Sequence, residues 1–121
     1  MQRITPPPVY NGVPCLLVAT GCALGHPPDG LLADLHADGY APLAVANKFI
    51  RNLLPVRRRR DFKRGERPTL NRLNFDGKAI VCVLGHYVYL DGDTYYSFFD
   101  NQEDDVVAMW ELGTKESKKR K

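Results

Sequence analysis

The spacing of apolar residues changes near Gly77 in this chain of 121 residues. Before Gly77 the apolar side chains recur at helical intervals, whereas residues 79–84 form a continuous apolar run rich in strand-forming types. Helices followed by antiparallel strands are the order of an α+β domain. The change of period therefore predicts an α+β fold in which N-terminal helices pack on a C-terminal antiparallel sheet.

The first predicted helix begins after Pro14 and is apolar on almost every side, which is typical of a buried helix. Gly25 is expected to end it, because glycine tolerates the left-handed conformation that follows many helices. Gly21 lies inside this helix, where glycine costs about 1 kcal/mol relative to alanine. Its presence indicates that the helix packs closely against a neighbour at that point.

Two further helices are predicted, over residues 29–39 and residues 42–54, and the later one must end before Pro55. Residues 56–67 are strongly basic and are expected to form a loop or an irregular strand. Residues 68–73 are long enough for one short helical turn. These elements connect the helical part of the chain to the sheet.

A β-hairpin is the clearest feature after residue 84. Residues 86–90 and residues 94–99 both alternate in side-chain character, and the turn between them contains Asp91 and Gly92. Aspartate followed by glycine between two such runs is the strongest short-range signal for a hairpin. Residues 106–112 then supply a final strand or a short helix.

Composition describes one soluble domain, since hydrophobic residues make up 44% of the chain and charged residues 26%. We expect an extended proline-rich lead over residues 1–14, a single domain over residues 15–112 and a disordered basic tail over residues 113–121. No apolar stretch approaches the roughly 18 residues of a membrane span. The lead also lacks the pattern of a secretory signal, so a cytoplasmic protein that does not bind membranes is expected.

The three cysteines, Cys15, Cys22 and Cys82, cannot all pair within the chain, which indicates reduced thiols. Their spacing does not suit zinc, and the acidic run at residues 103–105 lacks the alternation of a calcium loop. We therefore expect neither a metal nor a cofactor.

The formal net charge of +3 conceals a strongly basic segment. Between residues 51 and 72, nine basic residues stand against Asp61 and Glu66. Clustered arginine binds phosphate with little sequence preference, which makes nucleic acid or another polyanion a candidate partner. Only Phe62 offers a ring for base stacking there, and this favours a solvated loop instead. The candidate polyanion-binding residues are Arg57, Arg58, Arg59, Arg60, Lys63 and Arg64.

Cys15 occupies the first turn of the first predicted helix, where unpaired N–H groups and the helix dipole favour a thiolate. A nucleophilic cysteine needs a base within hydrogen-bonding reach and a third group that orients the base. His86, at the beginning of a predicted strand, is the candidate base. The alternative interpretation of Cys15 is a small apolar residue packed in the helix.

The order of these residues resembles that of papain-like cysteine peptidases. More narrowly, it resembles the short papain-like proteins of bacteriophages and bacteria that are related to bacteriocin-processing peptidases. The resemblance covers residues 11–103 and rests on short motifs at similar spacings. These are Cys15 with Gly25-His26-Pro27, then Arg67-Pro68-Thr69-Leu70, then Gly85-His86-Tyr87-Val88 followed by Asp91-Gly92.

The resemblance implies a papain-like fold and acyl transfer, most simply hydrolysis of a peptide or isopeptide bond. Cys15 would be the nucleophile and His86 the general base and acid. Asp100 is the implied orienting residue, Asn101 is the alternative, and Ser97 takes the position if the hairpin is counted differently.

Two departures from the family pattern support a second hypothesis. The family has a glutamine upstream of the cysteine as an oxyanion donor, and this chain offers Asn11 at a tighter spacing, beside the backbone N–H of Cys15. Pro14 stands where the family usually has an acidic residue. The alternative is an inactive papain-like scaffold in a phage-infected cytoplasm or a virion, which binds a protein, an acidic partner or nucleic acid through its basic segment and tail.

Overall fold

Six strands form one sheet in the computed structural model, which describes residues 1–26 and 42–113. The strands lie in the order β1-β5-β4-β3-β6-β2 across the sheet. Neighbouring strands are antiparallel, except that β1 runs parallel to β5. The strands are β1 Gln2–Ile4, β2 Val56–Asp61, β3 Lys78–Val83, β4 His86–Asp91, β5 Thr94–Tyr96 and β6 Val106–Leu112.

Two α-helices cover one face of this sheet, α1 at Cys15–Leu24 and α2 at Leu43–Leu53. Gly25 follows α1 with a φ of 91°, the left-handed conformation that was expected of it. The predicted α+β class is therefore confirmed, as are these two helices. The helix predicted over residues 29–39 and the basic tail beyond Gly113 lie outside the described residues.

The lead is more structured than the extended segment that its prolines predict. β1 pairs with β5, and a short 3-10 helix forms at Pro8–Tyr10. Proline disfavours an α-helix but fits the first position of a helical turn, which explains why a single turn forms here.

The hairpin and the final strand agree with the alternation in the sequence. Asp91 pairs with Thr94 across a turn in which Gly92 has a φ of 62°. β5 ends at Tyr96 rather than at Phe99, and residues 97–101 form a loop in which the Ser97 hydroxyl bonds to Asn101 and to the Phe99 N–H. Residues 106–112 form strand β6, which pairs with β3 on one side and with β2 on the other.

Apolar side chains fill both faces of the sheet. On the helical face, Trp110, Tyr87 and Ile80 pack against Leu16 and Ile50 of the helices. On the opposite face, Val81, Leu90 and Met109 pack beneath Leu70 and Leu73, which flank or lie in a 3-10 turn at Leu70–Arg72. Packing on both faces holds the strands in place. The candidate site lies at one end of these strands.

Close packing at Gly21 holds the lead against α1. A Cβ atom built on Gly21 would lie 2.5 Å from the hydroxyl oxygen of Tyr10 and 2.7 Å from a carbon of its ring. Tyr10 is 4% exposed, so its ring has little room to move aside. The glycine in the sequence predicted close packing at this point of the helix. The contact positions the loop between Tyr10 and Cys15.

Candidate active site

A cavity of about 420 Å³ opens where α1 begins and where β4 and β5 meet. The loop at residues 11–14 and the first turn of α1 form one wall, and residues 85–87 and 96–99 form the other. Both Cys15 and His86 border this cavity, although 70 positions separate them in the chain. The fold therefore brings the predicted nucleophile and the predicted base to one site.

Cys15 is the first residue of α1 and is partly exposed. Pro14 before it has an extended backbone, with a φ of −55° and a ψ of 143°, so the helix begins abruptly at the cysteine. The N–H groups of a first helical turn have no partner within the helix and carry partial positive charge. A thiolate or another anion at this position is stabilised by that charge.

His86 begins β4 directly after Gly85, whose φ of 76° allows the tight turn from β3. Its Nε2 atom lies 3.3 Å from Ser97 Oγ, and its ring meets the Phe99 ring edge-on at a centroid distance of 5.4 Å. Burial lowers the pKa of His86 below its ordinary value, and the negative charge of Asp104 opposes that shift. The imidazole is therefore neutral at pH 7 and able to accept a proton.

A chain of polar side chains leads away from His86. The Ser97 hydroxyl donates to Asn101 Oδ1 at 2.6 Å and accepts a hydrogen bond from the Phe99 N–H at 3.1 Å. Asn101 Nδ2 donates in turn to Asp104 Oδ2 at 2.8 Å. Ser97 and Asn101 are 2% and 5% exposed, so water has little access to these hydrogen bonds.

Asp100, the residue that was implied as the orienting group, has other partners. Its Oδ1 atom accepts hydrogen bonds from the Tyr95 hydroxyl at 3.2 Å and from the Gln102 N–H at 3.1 Å. Among the three candidate orienting residues, Ser97 is the one whose side chain lies beside the His86 ring, and Asn101 reaches the ring through Ser97. The carboxylate at the far end is Asp104, which belongs to the acidic run at residues 103–105 and was not predicted as a site residue.

Asn11, the predicted oxyanion donor, lines the same cavity as Cys15. It follows the 3-10 turn, and its backbone N–H donates to Pro8 O at 2.9 Å. Its side chain is exposed, so the amide is able to turn toward a bound molecule.

The other two thiols have the character of packing residues. Burial raises the pKa of Cys22 to about 11, and it is the largest cause of the same rise to about 11 at Cys82. Cys22 is partly buried on α1 and Cys82 is buried in β3. Neither residue borders the cavity at the start of α1.

The central part of the basic segment forms β2, an edge strand of the sheet, and much of the charge of this strand faces carboxylates. Glu111 is 2% exposed and lies 3.2 Å from Arg57, 3.0 Å from Arg58 and 3.7 Å from Arg60. A buried carboxylate is costly unless it is paired, so these arginines stabilise the β2–β6 pair. Arginine on an edge strand also discourages pairing with other chains.

The other candidate polyanion-binding residues are placed differently. Arg59 pairs with Asp61 at 3.0 Å, and its guanidinium lies 5.3 Å from the centre of the Trp110 ring. Lys63 and Arg64 lie in the exposed turn after β2. The six residues therefore do not form one uniform surface, because part of the set serves the sheet.

Within residues 1–26 and 42–113, no three His, Cys, Asp or Glu side chains converge in a way that could hold a metal ion. Neither described helix has the length and apolar character to cross a bilayer.

Compared with protein-family models, with curated proteins and with solved structures, the chain matches none of them.

Proposed function

We propose that this protein is an enzyme similar to papain-like cysteine peptidases. It would use Cys15 to transfer acyl groups or to hydrolyse a peptide or isopeptide bond. One observation carries the proposal, which is that Cys15 and His86 border the same cavity. Three features support it: the cysteine begins a helix, the histidine is neutral at pH 7, and a buried polar chain holds the histidine ring. A thiol nucleophile also needs its base within hydrogen-bonding reach, and the shared cavity supports that part of the proposal.

In the proposed reaction, His86 accepts the proton of the Cys15 thiol while the sulfur forms a bond to the substrate carbonyl carbon. The carbonyl oxygen gains a negative charge, which the Cys15 N–H and Asn11 stabilise as donors. The His86 imidazolium then gives its proton to the leaving amine as the carbon–nitrogen bond breaks. A thioester on Cys15 remains.

Water then completes the cycle by hydrolysing the thioester. His86 takes a proton from the water as the water oxygen bonds to the thioester carbon. The carbon–sulfur bond then breaks, the His86 imidazolium returns the proton to the Cys15 sulfur, and the acid leaves. A second amine in place of water would give transfer rather than hydrolysis. The proposed substrate is a peptide or isopeptide, and the aromatic side chains of Tyr96 and Phe99 along the cavity suit an apolar group beside the reacting carbonyl.

A small activated ester, p-nitrophenyl acetate, tests the acyl-transfer step without knowledge of the natural substrate. We expect rapid release of p-nitrophenol and an acetyl group that peptide mapping locates on Cys15. Cys15→Ala should abolish the rapid phase, and His86→Ala should slow it by about a hundredfold. Cys22→Ala is the matched control, because Cys22 lies on the same helix and its pKa of about 11 keeps it protonated.

Slow acetylation of Cys15 and Cys22 at similar rates would contradict the proposal. It would favour the second candidate function, a scaffold that binds an acidic partner. One observation supports that candidate: the Arg57 and Arg58 side chains are 64% and 63% exposed although both contact Glu111. Three arginines on one carboxylate leave positive charge that a partner is able to use.

A further inference from the structure

We propose that Asp104 fixes the proton position on His86 through Asn101 and Ser97, so that Nε2 carries the hydrogen and Nδ1 is the basic nitrogen. Its catalytic meaning rests on the proposed function, since Nδ1 would then receive the Cys15 proton. The three residues act through His86 and are positioning residues. The direction of each hydrogen bond from the carboxylate toward the ring determines which nitrogen carries the proton.

Asp104 sets the direction of the hydrogen bonds that lead to His86. An ionised carboxylate only accepts hydrogen bonds, so the Asn101 atom that lies 2.8 Å from Asp104 Oδ2 must be the NH₂ group. The reversed amide would bring two acceptor oxygens to that distance. The carbonyl oxygen of the Asn101 side chain therefore points toward Ser97.

Ser97 passes this direction on to the ring. Its single hydroxyl hydrogen is used in the 2.6 Å bond to Asn101 Oδ1, because that oxygen only accepts. The Phe99 N–H already donates to the same hydroxyl oxygen at 3.1 Å. Ser97 Oγ is thus able to face His86 only as an acceptor, and the Nε2 atom at 3.3 Å must be an N–H donor.

Burial makes the opposite direction of these hydrogen bonds unfavourable. Ser97 and Asn101 are almost fully buried, so a reversed bond would leave a polar group unpaired in a poorly hydrated site. When His86 takes a second proton at Nδ1, the Nε2–H bond to Ser97 persists and the Asp104 charge stabilises the imidazolium. The other ionisable groups that border the cavity beside His86 are Cys15, Tyr87 and Tyr96.

Long-range ¹H–¹⁵N correlation spectra of the full chain test the tautomer directly, because they distinguish Nε2–H from Nδ1–H imidazole. The His86 signals are identified by their loss in His86→Gln. Above the His86 pKa, we expect the Nε2–H pattern in the unmodified protein. Asp104→Asn should shift His86 toward a mixture of both forms and lower its pKa, since the opposing charge is removed. Glu103→Gln is the matched control and should leave both unchanged, because Glu103 is exposed and contacts Asn71 instead.

A kinetic measurement links the assignment to the proposed chemistry. Asp104→Asn should slow acetylation of Cys15 by about tenfold, with less effect as the pH is raised and the thiol ionises without the base. A purely structural role of Asp104 would not change the pH profile. Thermal unfolding of each variant shows whether it is folded. Ser97→Ala interrupts the same series of hydrogen bonds at a second residue.

The outcomes separate the two proposals. An Nδ1–H pattern in the unmodified protein, or a His86 tautomer unaffected by Asp104→Asn, overturns the inference even if Cys15 is reactive. An Nε2–H pattern that Asp104→Asn disturbs supports the inference even if Cys15 is inert, and in that case only the proposed function fails.

Discussion

The side chains beside His86 are only partly the ones that the sequence predicts. Counting along the hairpin gave Asp100 or Ser97 as its partner, with Asn101 as a further alternative. Ser97 lies beside the ring, and Asp104 ends the polar chain. Burial keeps the ring neutral, which a base requires, and it also makes protonation of the ring destabilising. The same property therefore affects both reactivity and stability.

The free energy of unfolding should decrease as the pH falls below about 6.5, the ordinary pKa of histidine. The pKa of His86 is lowered in the folded state, so the unfolded chain takes up the proton first and is favoured. The loss continues until the pH falls below the lowered pKa. Urea unfolding between about pH 7.5 and pH 5.5 measures it.

His86→Gln is the variant that removes this proton. Its side-chain amide is still able to donate to Ser97, and it should have a smaller pH dependence over the same range than the unmodified protein. His26→Gln, a change beyond the C-terminal end of α1, is the control and should retain the dependence that His86 causes. An unchanged slope in His86→Gln would contradict the lowered pKa.

At the scale of elements, α1 is the part of the fold on which the site depends most. It buries Leu16, Leu17 and Ala19, and its first residue is the proposed nucleophile. The Tyr10 ring against Gly21 holds the preceding loop to this helix. Packing between the lead and α1 therefore determines where Asn11 and Cys15 lie.

Gly21→Ala tests that packing. Alanine favours a helix over glycine by about 1 kcal/mol, but the added methyl would overlap the Tyr10 ring. Overpacking in a buried site costs about 1–3 kcal/mol, so we expect a net loss of stability in thermal or urea unfolding. Gly113→Ala is the control, because the nearest atom to its added methyl would lie at 3.7 Å. Greater stability of Gly21→Ala would show that the ring moves aside at little cost.

The sequence predicted the elements better than their pairing. The apolar run before Gly25 predicts α1, and the Asp91-Gly92 turn predicts the hairpin, because periodicity and turn chemistry are local properties. The parallel pairing of β1 with β5 depends on residues that are far apart in the chain, and no local pattern predicts it. The basic segment was ambiguous for the same reason, since its strand is stabilised by Glu111 on β6.

The candidate site shows the same limit at its outer residues. Cys15 and His86 have local signals, a helix beginning and a strand beginning, and the fold brings them to one cavity. Ser97 was one of three counted positions, and only the loop after β5 decides among them. Asp104 lies in the acidic run at residues 103–105, which carries no local signal of a role beside His86, and its contact with Asn101 is what indicates the role.

For the whole molecule, the central claim is that His86 activates Cys15 from a distant part of the chain. The rate of alkylation of each cysteine by iodoacetamide, mapped by mass spectrometry at about pH 6.5, tests it most directly. We predict that Cys15 reacts about a hundredfold or more faster than Cys22. We also predict that His86→Ala removes most of that difference while the fold persists. Equal rates at the two cysteines, or a fast Cys15 that is indifferent to His86→Ala, would contradict the account.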